Sequence, residues 1–124
     1  MRKISITTGG KSAIAVLEDN ATADAIWAAL PLTAWGNRWG AEIYFEIPAR
    51  ISKASDARDV MAAGELGYWP PGSAFCIFWG PTPASREGEC RAASPVNPFG
   101  QLEGDPAIFD AVSSGEEIRL ERVE

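Results

Sequence analysis

Apolar and polar residues alternate in two runs near the start of the chain. Ile4 and Ile6 alternate with Lys3, Ser5 and Thr7; beyond Gly9-Gly10, Ile14 and Val16 alternate with Ala13, Ala15 and Leu17. A period of two sends successive side chains to opposite faces of a strand, and a Gly-Gly pair between such runs predicts a hairpin. From Asn20 the period changes. Asn20 and Thr22 offer N-caps to a segment in which Ala23, Ile26, Trp27 and Leu30 recur at helical spacing, and Pro31 stops it. Gly40 to Ile47 alternates again, with Ile43, Phe45 and Ile47 opposite Glu42, Tyr44 and Glu46, the pattern of a half-buried strand.

Breakers frame the remainder. Pro48 ends that strand, and Ala49 to Ala63 is polar with little periodicity, which predicts a loop with a short strand around Arg50 to Lys53. Gly64 to Trp69 leads through Pro70-Pro71-Gly72 into the apolar block Ala74 to Trp79, closed by Gly80-Pro81-Thr82-Pro83. A block so bounded predicts a strand buried on both faces, Phe75, Ile77 and Trp79 on one and Ala74, Cys76 and Phe78 on the other. Residues 84–94 read as an exposed loop. Val96 to Leu102 reads as a strand in which Pro98 requires an edge position or a bulge. Asp105-Pro106 opens a second short helix with Ile108, Phe109 and Val112 on its apolar face and Gly115 as its stop. Ile118 and Leu120 alternate in a terminal strand. Seven or eight short strands and two short helices predict a mainly β chain, one domain over residues 1–124, folded as a small barrel or sandwich with the helices capping its ends.

Composition narrows the chemistry. With 124 residues the chain can bury roughly two-thirds of its unfolded surface in one core. The net charge is −6 and the 11 basic residues form no basic stripe, so no nucleic-acid partner is expected. Ala74 to Trp79 is too short to span a membrane and no apolar block follows Met1, which predicts a cytoplasmic protein without membrane association. There is no histidine. That removes the usual general base near neutral pH and the commonest metal ligand, and with them Ser-His-Asp, Cys-His and HExxH sites. Cys76 and Cys90 form no paired-cysteine motif and read as buried thiols; no metal and no cofactor is expected.

Three stretches resemble a family of small bacterial and archaeal cyclophilin-like proteins of unknown function. They are Asn37 to Phe45, Gly64 to Pro83 and Ser94 to Gly100, and the most specific part is Gly67-Tyr68-Trp69-Pro70-Pro71-Gly72 with Phe75 to Trp79 and Gly80-Pro81-Thr82-Pro83. The resemblance implies a closed or nearly closed cyclophilin-like β-barrel. Peptidyl-prolyl isomerases with this barrel hold the twisting amide with an arginine beside a proline pocket, and carry a histidine nearby. This chain has no histidine, and Trp69-Pro70-Pro71-Gly72-Ser73 replaces their glycine-rich approach to the aromatic strand. Pro98 also departs from the branched apolar residue usual in the small family.

Candidate site residues fall into three groups. The first is aromatic: Trp39, Tyr44, Tyr68, Trp69, Phe78 and Trp79, with Tyr44 on the polar face of its strand and Tyr68 and Trp69 before a rigid turn. Each is set against a plain core role. The second is Glu42, a carboxylate beside aromatic residues, with Arg38 as a clamp for an amide or carboxylate; ordinary solvated charges are the alternative. The third is Thr82, Ser85, Ser94 and Asn97, polar side chains on proline-stiffened backbone that suit either ligand contacts or turn hydrogen bonds. Together they predict an aromatic groove for a small molecule or short peptide. Two alternatives stand beside it, an isomerase with a rebuilt site using Arg38, and an interaction subunit of an amidohydrolase-type assembly. An exposed aromatic rim would also suit a homodimer.

Overall fold

The amino-terminal alternation folds into β1 (Lys3–Thr8) and β2 (Lys11–Leu17), paired antiparallel. Gly9 and Gly10 between them have φ of +56° and +75°, the left-handed pair that a two-residue hairpin turn needs. Helix α1 (Ala21–Ala29) follows, its first turn capped by the Asn20 side chain, which accepts from the Ala23 N–H at 2.8 Å. In this computed structural model residues 1–123 are described.

Eight further strands complete the sheet. They are β3 (Leu32–Trp35), β4 (Asn37–Arg38), β5 (Glu42–Glu46), β6 (Arg58–Met61), β7 (Glu65–Trp69), β8 (Ala74–Phe78), β9 (Cys90–Leu102) and β10 (Glu117–Val123). The order is β3-β10-β1-β2-β9-β7-β8-β5-β4, with β6 added to β9 off that path. Its outermost strands, β3 and β4, are consecutive in the chain and separated only by Gly36. One stretch of backbone thus pairs with β10 on one side and β5 on the other, bridging the seam of a nearly closed barrel.

The interior takes one apolar parity of the barrel strands, as with Ile4 and Ile6, Ile43 and Phe45, Leu66 and Tyr68, Phe75 and Ile77, Ile118 and Leu120. Phe45 and Phe75 stack with ring centroids 5.0 Å apart, and Phe99 meets Phe75 edge-on. A second, smaller core lies on the outer face. It holds Ala74, Cys76 and Phe78 of β8 with Met61, Cys90, Ala92 and Val96. β8 is therefore buried on both faces, as its unbroken apolar run predicts.

The cover for that outer face is the first half of β9, which pairs with β6 and lies across the barrel as an arm. A bulge frees it: Leu66 pairs with Gly100 but Gly67 with Pro98, so Phe99 has no partner of its own on β7. Pro98 thus marks a bulge, one of the two roles its position allowed.

Three local expectations are corrected. The exposed loop expected over residues 84–94 ends at Glu89, because Cys90 and Ala92 bury themselves against β6 and β8. No strand forms at residues 50–53, whose backbone bonds to core side chains instead. The second helix is a 3-10 segment, Pro106–Ala111, that buries Phe109 and packs Ile108 against the core, with Val112 buried just beyond it.

Candidate functional site

Between the arm and the outer face of β5, β7 and β8 lies a cavity of about 260 Å³. Strand parity builds its walls. Ile43 and Phe45 point into the barrel, so Glu42 and Tyr44 point out; the ladder sets them opposite Phe78 and Cys76. Trp69 leaves β7 on the same outer face, and Ala92, Ala93 and Val96 form the facing wall. Gly67 lets the arm approach, for a Cβ there would stand 2.6 Å from Val96 Cγ2. Trp69 fixes the far side: its Nε1–H donates to Ser94 Oγ at 2.7 Å, and its ring lies where a Cβ on Gly72 would stand, 2.8 Å away.

Trp39 enters from the turn between β4 and β5. Its N–H donates to the Glu42 carbonyl at 3.0 Å, and Gly40 takes φ +63° where a Cβ would come within 2.8 Å of the Pro81 carbonyl. The Ala41 N–H donates to that same carbonyl at 2.8 Å. Thr82, next along, donates to the Arg91 carbonyl on the arm and accepts from the Ala84 N–H. Thr82 therefore ties the Trp39 turn to the arm from behind and does not line the cavity.

Glu42 is the distinctive group. Its side chain is 4% exposed, and Oε1 has no hydrogen-bond partner. Burial raises its pKa from 4.5 to about 7, opposed by a weaker hydrogen bond with Cys76. Burial likewise pushes the Cys76 thiol up, and the adjacent carboxylate adds to the effect. Around this carboxyl the surface is aromatic and aliphatic, and among the described residues no Lys or Arg lines the cavity. Nor do acidic and cysteine side chains cluster in threes there to hold a metal.

The family model for cyclophilin-like proteins matches residues 2–121. The chain belongs to the cyclophilin-like family. The solution structure of a hypothetical protein from Archaeoglobus fulgidus is similar to this cyclophilin-like chain, the match covering 98% of this chain and 95% of the archaeal one. The two are 33% identical, with a TM-score of 0.83. A search of curated proteins gives no match. No helix among the described residues is long and apolar enough to cross a membrane.

Of the twelve residues singled out from the sequence of this cyclophilin-like protein, Trp39, Glu42, Tyr44 and Trp69 line the cavity. The other eight, Trp79, Ser85 and Ser94 among them, do not. Tyr68 is wholly buried inside the barrel; its hydroxyl donates to the Ala49 carbonyl at 2.6 Å and accepts from the Ile51 N–H at 3.1 Å. Asn97 is also wholly buried, accepting from the Ala54 N–H and donating to the Ser52 carbonyl and Thr22 Oγ1. These two pin residues 49–54 against the main core, away from the cavity. Phe78 packs in the outer core without lining the space. Arg38 turns to the opposite side, donating to the Asp110 and Val112 carbonyls with its guanidinium 5.0 Å from the Trp79 ring.

Cys76, Ala92, Ala93 and Val96 were missed. Only Cys76 carries a signal, its outer parity on β8, where it stands opposite Tyr44; the alanines contribute by being small.

Proposed function

We propose that this cyclophilin-like protein binds a small molecule, or one side chain of a short peptide, in the cavity under the β9 arm, with Glu42 as its polar anchor. One observation carries the reading: a carboxyl group almost without solvent exposure has an oxygen unpaired beside an open apolar space. Leaving a buried polar group under-satisfied costs about 1–3 kcal/mol, and a ligand donor to the Glu42 carboxyl from the cavity would offset part of that cost. An apolar cavity with a few convergent polar groups is the common form of a small-ligand site, and about 260 Å³ suits a compact occupant. The isomerase alternative needs a guanidinium at the site, and Arg38 is engaged elsewhere.

A fragment screen by thermal shift and tryptophan fluorescence tests the proposal. Ligands should stabilise the protein and change the emission of Trp39 and Trp69. Tyr44→Ala and Glu42→Gln should each weaken them by about tenfold or more, a loss of about 1.4 kcal/mol. Ligands whose affinity neither substitution changes would place the site elsewhere.

A further inference from the structure

We propose that the ligand carries a compact alkylated ammonium group, seated among Trp39, Tyr44 and Trp69 with the Glu42 carboxylate as its counter-ion. The inference rests on the reading that the cavity is a ligand site and names the chemistry the site selects.

Charge decides the first step. The cavity's walls hold one carboxyl group and, among the described residues, no basic side chain. An anionic ligand would bring a second negative charge to a poorly solvated carboxylate, whereas a cation neutralises it. Among the described residues no cation pairs with Glu42: Arg38 faces Asp110, and Arg91 on the arm is held by Glu89 and Asp59. A neutral hydrocarbon would fill the apolar space and leave Glu42 Oε1 unpaired.

The aromatic walls decide the second step. Trp39, Tyr44 and Trp69 present three π-systems around one cavity, and the negative faces of such rings attract cations, tryptophan most strongly. The Trp69 ring is fixed by its bond to Ser94 and its seat on Gly72.

Hydrogen-bond accounting decides the third. A primary ammonium has three donors and a guanidinium five. Against a single carboxyl group in otherwise apolar and aromatic walls, most of them would be stripped of water without a partner. Alkyl groups on the nitrogen replace those donors with apolar surface that packs against the rings, Ala92 and Val96 while the charge remains. The same accounting makes lysine- or arginine-like ligands poor occupants.

The test uses the intact protein at about pH 8, above the value to which burial raises Glu42. Tryptophan fluorescence and calorimetry are titrated with tetramethylammonium, choline, the uncharged tert-butyl isostere of choline and unmethylated ethanolamine. A short peptide with one trimethylated lysine carries the same group on a side chain. We expect choline and tetramethylammonium to bind and the isostere and ethanolamine to bind about tenfold or more weakly. Glu42→Gln, with thermal unfolding confirming its fold, should sharply reduce the preference for choline over the isostere, leaving only what the rings supply. Peptide binding about tenfold tighter than choline assigns the ammonium to a side chain; equal or weaker binding assigns it to a free molecule. Equal binding of choline and its isostere, or a preference unchanged in Glu42→Gln, overturns the inference. So does a neutral fragment that binds through Tyr44 while no ammonium probe binds, although the cavity then remains a ligand site. If neither ammonium probes nor fragments bind, both readings fall.

Discussion

A carboxyl group shut away from water holds its proton more tightly when folded than when unfolded, and Glu42 does so from 4.5 to about 7. The stability this provides is fully present below the unfolded value and is lost as pH rises through the folded one. The shift corresponds to about 3 kcal/mol lost between those limits. Cys76, on the same outer face of the neighbouring strand β8, stays protonated throughout because its own pKa is raised above 9.0. Urea unfolding of the native protein and Glu42→Gln across that range should show their stability difference drifting against the native protein as pH rises. A constant difference would mean that water reaches the carboxyl. From sequence, the outward parity of Glu42 and Tyr44 was evident, but a polar-looking strand face reads as solvated until the cover is seen. Tyr68 was misplaced for a simpler reason: neighbours in a strand point to opposite faces, so Tyr68 and Trp69 could not both line one pocket. Asn97 shares that lesson, having Val96 outside and its own amide inside.

The β9 arm is the element that turns an outer sheet face into a cavity, and its hold is confined to a few contacts. The Trp69–Ser94 hydrogen bond is one, and the closeness allowed by Gly67 is another. Ser94→Ala leaves the indole N–H without its partner, at a cost of about 1 kcal/mol. We expect faster amide exchange across Cys90–Val96 and weaker ligand binding, with exchange in β1, β2 and β10 unchanged. Uniform acceleration across all strands would show that the arm does not open by itself. Alternation disclosed most strands, because one parity enters the main core and the other faces water. The arm escaped notice because Cys90, Ala92 and Val96 bury against a second core, and Arg91-Ala92-Ala93-Ser94 lacks the bulky apolar residues that mark a strand. The 3-10 segment was overread for the converse reason, since cap, proline and stop signals are shared by α-helices and single turns.

For the whole molecule, turn spacing and alternation suffice for a small barrel or sandwich, but the order of strands depends on pairings remote in sequence, and the family resemblance supplied what the periodicity lacked. The seam shows how little local signal such a feature leaves. Gly36 reads as a simple breaker after Trp35, yet its N–H donates to the Glu116 carbonyl at 3.0 Å and its own carbonyl accepts from the Gly115 N–H at 2.9 Å. A Cβ at Gly36 would stand 2.6 Å from Ile118 Cδ1 and 3.2 Å from Ile43 Cγ2, side chains of the two strands that the seam joins. Both isoleucines are fully packed, so neither end has free space to yield. Gly36→Val should therefore overpack the junction, lowering stability by about 1–3 kcal/mol and the urea midpoint with it. Its fingerprint distinguishes a seam from an ordinary core position. Because the same residue stands between the β3–β10 and β4–β5 ladders, amide exchange should quicken in β5 and β10 together, while the hairpin of β1 and β2 is less affected. Acceleration limited to β10 would mean that the sheet closes elsewhere, and that residues 32–38 cover the barrel without joining its ends.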